Sequence, residues 1–183
     1  MITTTSPSTT VPALSRLYAA RFAFALVWAA VVVVSASELN PFVGVLLVLY
    51  PVYDIVGIAA DARLSEQSRT RSTLYVNIAV SALAAIGLAV AATSGVPATL
   101  RVFGAWAAVA GIAQLVVALA RRSSGGQLPV ILSGAISVLA GANFIALASK
   151  DDPSLKALAE YALLGGLFYL ASSILLRRRA RRS

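Results

Sequence analysis

Asp54 is the residue whose type and position most strongly suggest chemistry. It follows Pro51 in the apolar stretch LYPVYDIVGIAADAR, roughly two turns inside one end of a segment long enough to cross a membrane. A carboxylate at the centre of a bilayer costs about 2.5–3.5 kcal/mol on insertion scales, so it should face the protein interior. Two hypotheses follow. Asp54 serves a proton or solute site, or it is structural, either neutral or paired with an arginine, with Tyr50, Tyr53 and Gln114 as candidate hydrogen-bond partners.

Three amide side chains lie in neighbouring apolar segments, namely Gln114, Asn77 and Asn143. Amides between membrane helices typically contribute about 0.6 kcal/mol each, and at most about 2 kcal/mol. We interpret them as links between helices, with the lining of a pore or pocket beside Asp54 as the alternative.

Arg101 and Glu160 are a candidate ion pair on the opposite side of the membrane. Both lie within about two turns of the predicted outer surface. One hypothesis pairs them between the fourth and sixth segments. The alternative is that both long side chains extend separately to the membrane interface.

Composition excludes several kinds of enzyme chemistry. The chain has no Cys and no His, which excludes thiol nucleophiles, disulfides, Cys/His zinc sites, His-ligated haem and a Ser-His-Asp triad. Phosphate-binding, zincin and nucleophile-elbow motifs do not occur. Asp54 and Asp61 share a helix face, but the denser Asp cluster of lipid head-group transferases is missing. The sequence therefore predicts no enzyme, no cofactor and no metal.

The elements that must position these residues follow from hydropathy. Of 183 residues 59% are hydrophobic and 12% are charged, against about 45–50% and about 25% in soluble domains. The excess apolar surface must face lipid. The apolar runs are continuous and near the 20 residues that span a bilayer, which predicts helices rather than barrel strands. We expect an all-α polytopic membrane protein with six spans at about residues 17–37, 41–62, 72–93, 97–120, 128–149 and 155–176.

Prolines mark several helix boundaries. Pro41, Pro97 and Pro153 follow polar turn residues and predict the starts of the second, fourth and sixth helices, because proline is tolerated at a first helical position. Pro51 falls inside the second span and predicts a kink there. Residues 1–15 are polar and predicted to be disordered, ahead of a membrane domain at 16–176 and a tail at 177–183.

The basic residues predict the orientation. Twelve of the fifteen Lys and Arg residues fall on one side, which by the positive-inside rule places both termini in the cytoplasm. The tail is expected to set topology and to attract anionic lipid head groups, at about 1 kcal/mol per charge, rather than to bind nucleic acid. The twelve are Arg16, Arg21, Arg63, Arg69, Arg71, Arg121, Arg122, Arg177, Arg178, Arg179, Arg181 and Arg182.

The segments repeat. Residues 81–87 (SALAAIG) resemble residues 137–143 (SVLAGAN), 56 positions later, and residues 56–59 (VGIA) resemble residues 110–113 (AGIA), 54 positions later. Gly165 follows Gly111 after another 54. This predicts three tandem two-helix hairpins in parallel orientation, unlike the inverted repeats that are common in secondary transporters.

Two of these stretches carry a family resemblance. Residues 100–115 (LRVFGAWAAVAGIAQL) and 126–141 (GQLPVILSGAISVLAG) resemble the HdeD-like bacterial membrane proteins, which are built from a short repeat of unknown function. The resemblance implies a six-helix inner-membrane protein. It also implies a link to acid resistance, through the founding member, and supplies no established catalytic residues.

Small residues predict close helix packing. Ser133, Ser137 and Gly141 recur every fourth residue on the fifth segment, and Gly111 and Gly57 lie on the fourth and second. Small side chains let helix backbones approach closely. We expect packing within the chain, with a homo-oligomer as the alternative.

Three functional hypotheses remain. The first is a non-enzymatic inner-membrane protein of the HdeD-like type, in stress or acid tolerance. The second is a small channel or transporter for protons or a small solute, using Asp54. The third is a membrane scaffold that self-associates through the small-residue faces.

Overall fold

The computed structural model describes residues 7–64, 71–120 and 128–180. Within these ranges the chain forms six α-helices and no strand, which confirms the predicted all-α class. All six are long and apolar enough to cross a membrane, as expected of a multi-pass membrane protein. They are α1 (Pro7–Ser35), α2 (Pro41–Leu64), α3 (Arg71–Ala91), α4 (Val96–Ala120), α5 (Leu128–Leu147) and α6 (Lys156–Ala180).

Local chemistry explains the boundaries. α2 begins at Pro41, and Asn40 Oδ1 caps it by accepting a hydrogen bond from the Val43 amide at 3.0 Å. Gly95, with φ near 100°, forms the turn before α4, a conformation that glycine adopts without steric cost. α6 begins three residues after Pro153. Pro51 is buried inside α2, and the kink there stays a prediction.

The helix α1 begins well before the predicted span. Residues 7–15, expected to be disordered, belong to α1, while residues 1–6 lie outside the described ranges. The reason is a contact with the other end of the chain. Ser15 is buried and its Oγ lies 3.1 Å from Ser173 Oγ, while Arg177 Nε donates to Ser15 Oγ at 2.8 Å. Hydrogen bonds to α6 therefore hold α1 at Ser15, directly before the predicted span.

The helices form a closed ring in chain order, because α6 packs back against α1. The most extensive seams are α4–α5, α1–α6 and α2–α3, and the looser ones are α1–α2, α3–α4 and α5–α6. The three extensive seams are equivalent under the predicted repeat. Replacing each helix by the one two places later in the ring converts α2–α3 into α4–α5, and α4–α5 into α6–α1. Each predicted hairpin thus packs more closely against the next repeat than within itself.

Glycines bring α4 and α5 together. A Cβ on Gly141 would lie 2.5 Å from the Gly104 carbonyl oxygen, and one on Gly111 would lie 2.7 Å from the Gly134 carbonyl oxygen. The backbones therefore touch, as small residues permit between membrane helices. The α5 glycine that meets Gly111 is Gly134, one residue after the predicted Ser133.

Aromatic side chains fill the middle of the ring. Phe103 is fully buried, with its ring centroid 5.2 Å from that of Trp106 and 5.8 Å from that of Phe144. Tyr50 joins this cluster from α2, with Trp28 at 4.6 Å. The outer faces carry exposed apolar side chains that lipid would cover, such as Val34, Leu83, Ile86 and Leu139.

Candidate functional site

Asp54 is held by two donors inside the bundle. Arg21 Nη2 on α1 donates to Asp54 Oδ1 at 2.6 Å, forming an ion pair, and Ser81 Oγ on α3 donates to Oδ2 at 3.0 Å. The Arg21 side chain is 9% exposed and that of Asp54 is 24% exposed. Of the settings expected for Asp54, the structure shows the arginine-paired one. The candidate partners Tyr50, Tyr53 and Gln114 do not bond to it.

The ion pair lies near the middle of the membrane-spanning length. Asp54 is ten residues from the end of α2 at Leu64, or about 15 Å along the helix axis. Arg21 is nine residues inside the apolar span that begins at Pro12, about the same depth. A bilayer core is about 30 Å thick, so both charges sit where an unpaired charge is most costly.

Gly57 makes room for the guanidinium. It follows Asp54 by three residues, so both lie on one face of α2. A Cβ at Gly57 would overlap Arg21 Nη1 and lie 2.6 Å from Arg21 Cζ. The glycine is therefore needed for the guanidinium to lie flat against the α2 backbone.

The network extends to α4 and α6. Trp106 Nε1 of α4 donates to Ser81 Oγ at 3.3 Å. The Asp54 carboxylate and the Ser81 hydroxyl therefore connect α1, α2, α3 and α4. Arg21 Cζ lies 4.3 Å from the centroid of the Tyr169 ring, a cation–π contact from α6. The pair is thus enclosed by α1, α2, α3 and α6.

A second contact joins α1 and α2 two turns nearer the chain termini. Tyr18 Oη donates to Asp61 Oδ1 at 3.0 Å, and Asp61 is buried. The Tyr18 ring lies 5.8 Å from the Tyr169 ring. Tyr18 and Arg21 are one turn apart on α1, and Asp54 and Asp61 are two turns apart on α2, so the two contacts stack along one seam.

Sequence reasoning missed most of this site. It assigned Arg21 to topology, Ser81 to the repeat, and Asp61 to no role. Tyr18 and Tyr169 were not singled out. The available signal was spacing, because an Arg three residues after a Tyr on one span faces two Asp residues seven apart on the next.

The three predicted amides do not join the site. Gln114 Nε2 donates to the Val130 carbonyl oxygen on α5 at 3.2 Å, which makes it a link between helices. Asn77 is partly buried and Asn143 is exposed. In the part of the chain that the structure describes, neither of them hydrogen-bonds to Asp54 or its partners.

The outer ion pair does not form. Arg101 and Glu160 are both exposed. α5 lies between α4 and α6 in the ring, so the two side chains project from helices that are not neighbours. Both therefore fit the alternative in which each extends separately to the interface.

The structure describes part of the basic tail at the C-terminal end of α6. Arg178 is exposed, and Arg177 is exposed apart from its bond to Ser15. The side chain of Arg179 and the residues Arg181 and Arg182 lie outside the described part of the chain. Their interaction with lipid head groups stays a prediction.

The site combines a carboxyl group, which can exchange a proton, with a permanent positive charge. Asp54 is a proton acceptor, whereas Arg21 keeps its charge at all accessible pH values. No three His, Cys, Asp or Glu side chains among the described residues come together as a metal site would require.

Comparison of the chain with protein-family models, curated proteins and solved structures gives no match. The resemblance to the HdeD-like proteins therefore stays a prediction.

Proposed function

We propose that this chain is a non-enzymatic, multi-pass protein of the bacterial inner membrane that moves protons, alone or with a small solute, through the bundle at Asp54. The observation that carries the proposal is the partly exposed carboxylate at mid-span, paired with Arg21 and bonded to Ser81. Ionisable residues at such depth are costly and typically mark ion or proton paths.

In this proposal the Arg21–Asp54 pair has two charge states, with Asp54 ionised or protonated. With Asp54 ionised, the pair ties α1 to α2 across one of the looser seams of the ring. A proton taken up by Asp54 neutralises the carboxylate and removes the charge attraction, while Arg21 stays charged. The seam between α1 and α2 then loses its strongest polar contact, which couples proton uptake to a movement of these helices.

Acid or stress tolerance fits this activity. The chain has no His, so carboxylates are the side chains that respond to mildly acidic pH. The resemblance to HdeD-like proteins supports the same setting. The scaffold hypothesis gains no support from the small-residue faces, because Gly111 and Gly141 are used inside the chain.

Proton flux in proteoliposomes driven by a pH gradient tests the proposal. The variant is Asp54→Asn, which keeps the shape of the side chain and removes its titration. The matched control is Glu160→Gln, the same kind of change at an exposed carboxylate. We expect flux in the wild type and the control, and its loss in Asp54→Asn. Absence of flux in the wild type, or equal flux in all three proteins, would overturn the proposal.

A further inference from the structure

Asn143 places an amide on the outer surface of α5. Its side chain is exposed, and it makes no hydrogen bond to any residue that the structure describes. Other polar side chains within the spans are bonded, as Ser35 and Ser172 are to carbonyl oxygens of their own helices. An amide carries two N–H donors and a carbonyl acceptor, and lipid offers no water to satisfy them. Asn143 therefore needs a partner that the described part of the chain does not supply.

The Asn143 amide lies inside the hydrocarbon region. The apolar span of α5 runs from Val130 to Leu147, which is about 27 Å and fills a bilayer core about 30 Å thick. Asn143 is four residues from Leu147, about 6 Å inside that end of the span. Side chains on a helix tilt toward its N-terminus, so the short Asn143 side chain points further toward the bilayer centre.

Exposed polar residues elsewhere in the described spans can reach an interface. Tyr75, Arg101 and Glu160 lie in the first two turns of their helices, so the same tilt carries them toward the nearer interface. The others are long basic side chains close to a span end, which extend into the head-group region. They are Arg16, Arg63, Lys156, Arg177 and Arg178. Asn143 differs from all of these because its side chain is short and tilts away from the nearer interface.

The face of α5 around Asn143 allows another helix to come close. Leu139, Ala142 and Ala146 lie three or four residues from Asn143, and all three are exposed. Small residues beside an amide let two backbones approach closely enough for a short side chain to reach across. Asn143 is about 200° around the helix from Gly141, so this face is separate from the contact with α4.

α5 is also the least covered of the six described spans. In its 18-residue apolar stretch 17% of the residues are buried, against between 22% and 39% in the equivalent stretches of the other helices. The seam between α5 and α6 is the loosest in the ring. The helix that carries the unbonded amide therefore has the most surface left for a partner.

We propose that α5 packs against α5 of a second copy of this chain, with the two Asn143 amides hydrogen-bonded to each other. Two copies inserted in the same orientation are related by a two-fold axis along the membrane normal, which holds both Asn143 residues at one depth. An amide is also its own complement, because the NH₂ of one copy donates to the carbonyl oxygen of the other. A second copy therefore matches Asn143 in both depth and chemistry.

The dimer goes beyond the proposed function and does not depend on it. The Arg21–Asp54 pair is enclosed by α1, α2, α3 and α6, so a contact through α5 leaves it inside each copy. The glycines that join α4 to α5 also stay in place.

Cysteine cross-linking of the full chain in liposomes tests the contact, because the natural chain has no cysteine. Ala146→Cys places a thiol on the Asn143 face, one residue before the end of α5. The matched control is Ala89→Cys, an exposed alanine two residues before the end of α3, the repeat equivalent of α5. On oxidation we expect disulfide-linked dimers of Ala146→Cys and few of Ala89→Cys.

Changes at Asn143 show whether the amide holds the dimer together. The cross-linked fraction over a series of protein-to-lipid ratios gives the dissociation constant. Adding Asn143→Leu to Ala146→Cys should raise that constant about tenfold, as expected for loss of hydrogen bonds between membrane helices. Asn143→Gln keeps an amide on this face and should retain the dimer. Circular dichroism should show unchanged helix content in both variants, because Asn143 bonds to no described residue of its own chain.

Three outcomes would overturn the proposal. Equal cross-linking of Ala146→Cys and Ala89→Cys would show random collision. Cross-linking that Asn143→Leu leaves unchanged would show a contact that does not use the amide. The absence of a dimer at every protein-to-lipid ratio would leave this face to lipid or to a different protein.

Discussion

Replacing Gly57 with alanine tests the geometry of the site most directly. The added Cβ would lie 2.6 Å from Arg21 Cζ and 3.1 Å from Arg21 Nε. Carbon atoms in contact prefer about 3.5–4.0 Å, so the guanidinium must withdraw by about 1 Å. The bond from Arg21 to Asp54, now 2.6 Å, would then lengthen to about 3.5 Å and cease to be a hydrogen bond.

The expected cost is the balance of three terms. Overpacking costs about 1–3 kcal/mol, and complete loss of a buried partner would cost about 3–5 kcal/mol. Alanine is the better helix former by about 1 kcal/mol. A shift of about 1 Å weakens the ion pair without separating the charges, so only part of the partner term applies. We therefore expect Gly57→Ala to lower the free energy of unfolding by about 1–4 kcal/mol. Its repeat equivalent Gly165 is the matched control, because a Cβ there meets only Tyr50 Oη at an ordinary 4.0 Å.

The assay is unfolding by SDS in mixed micelles, followed by circular dichroism. We expect Gly165→Ala to be neutral or stabilising. In the double variant that carries Arg21→Ala and Asp54→Ala, the obstacle is absent, and Gly57→Ala should no longer destabilise. The reasoning fails if Gly57→Ala costs the same in that background, or if Gly165→Ala is equally costly.

Three further substitutions follow from the same contacts. Arg21→Ala alone should cost about 3–5 kcal/mol, more than Arg21→Ala together with Asp54→Ala, as measured by the same SDS unfolding, because the single change leaves a buried charge unpaired. Gly111→Ala should cost about 1–3 kcal/mol, since its Cβ would meet the backbone of α5, and a lowered Tm in detergent would show it. Ser137→Ala, which removes a 3.0 Å hydrogen bond to a tyrosine of α6, should cost about 0.6 kcal/mol in the SDS titration. A stabilised Gly111→Ala, or equal costs for Arg21→Ala with and without Asp54→Ala, would contradict these estimates.

The sequence predicted the elements because hydropathy is a local property. A run of about 20 apolar residues has few stable alternatives to a helix in lipid, so six helices followed from composition and length. The start of α2 at Pro41 followed from backbone chemistry that acts within a few residues. The same kind of reasoning placed Asp54 inside the protein, because a carboxylate facing lipid is too costly.

The repeat shows that the surroundings of a residue cannot be predicted from its local sequence. Gly57, Gly111 and Gly165 are equivalent in the sequence, yet one accommodates a guanidinium, one touches a backbone and one has ordinary space. What distinguishes them is the neighbouring helix, which the repeat alone does not specify. The contact of Ser15 is similar, since its partner Ser173 lies at the far end of the chain.

The sequence by itself thus determined the class, the number of helices and the position of Asp54 inside the bundle rather than facing lipid. Only the tertiary structure decided that Arg21 would be its partner, that Asp61 would bond Tyr18, and that Arg101 and Glu160 would lie apart. The physical reason is that lipid exposure depends on each segment separately, whereas pairing depends on which helices become neighbours. α1 and α2 are consecutive, so for Asp54 and Asp61 the tertiary structure decides which faces of the two helices meet. For Arg101 and Glu160 it decides the order of the ring, which places α5 between α4 and α6.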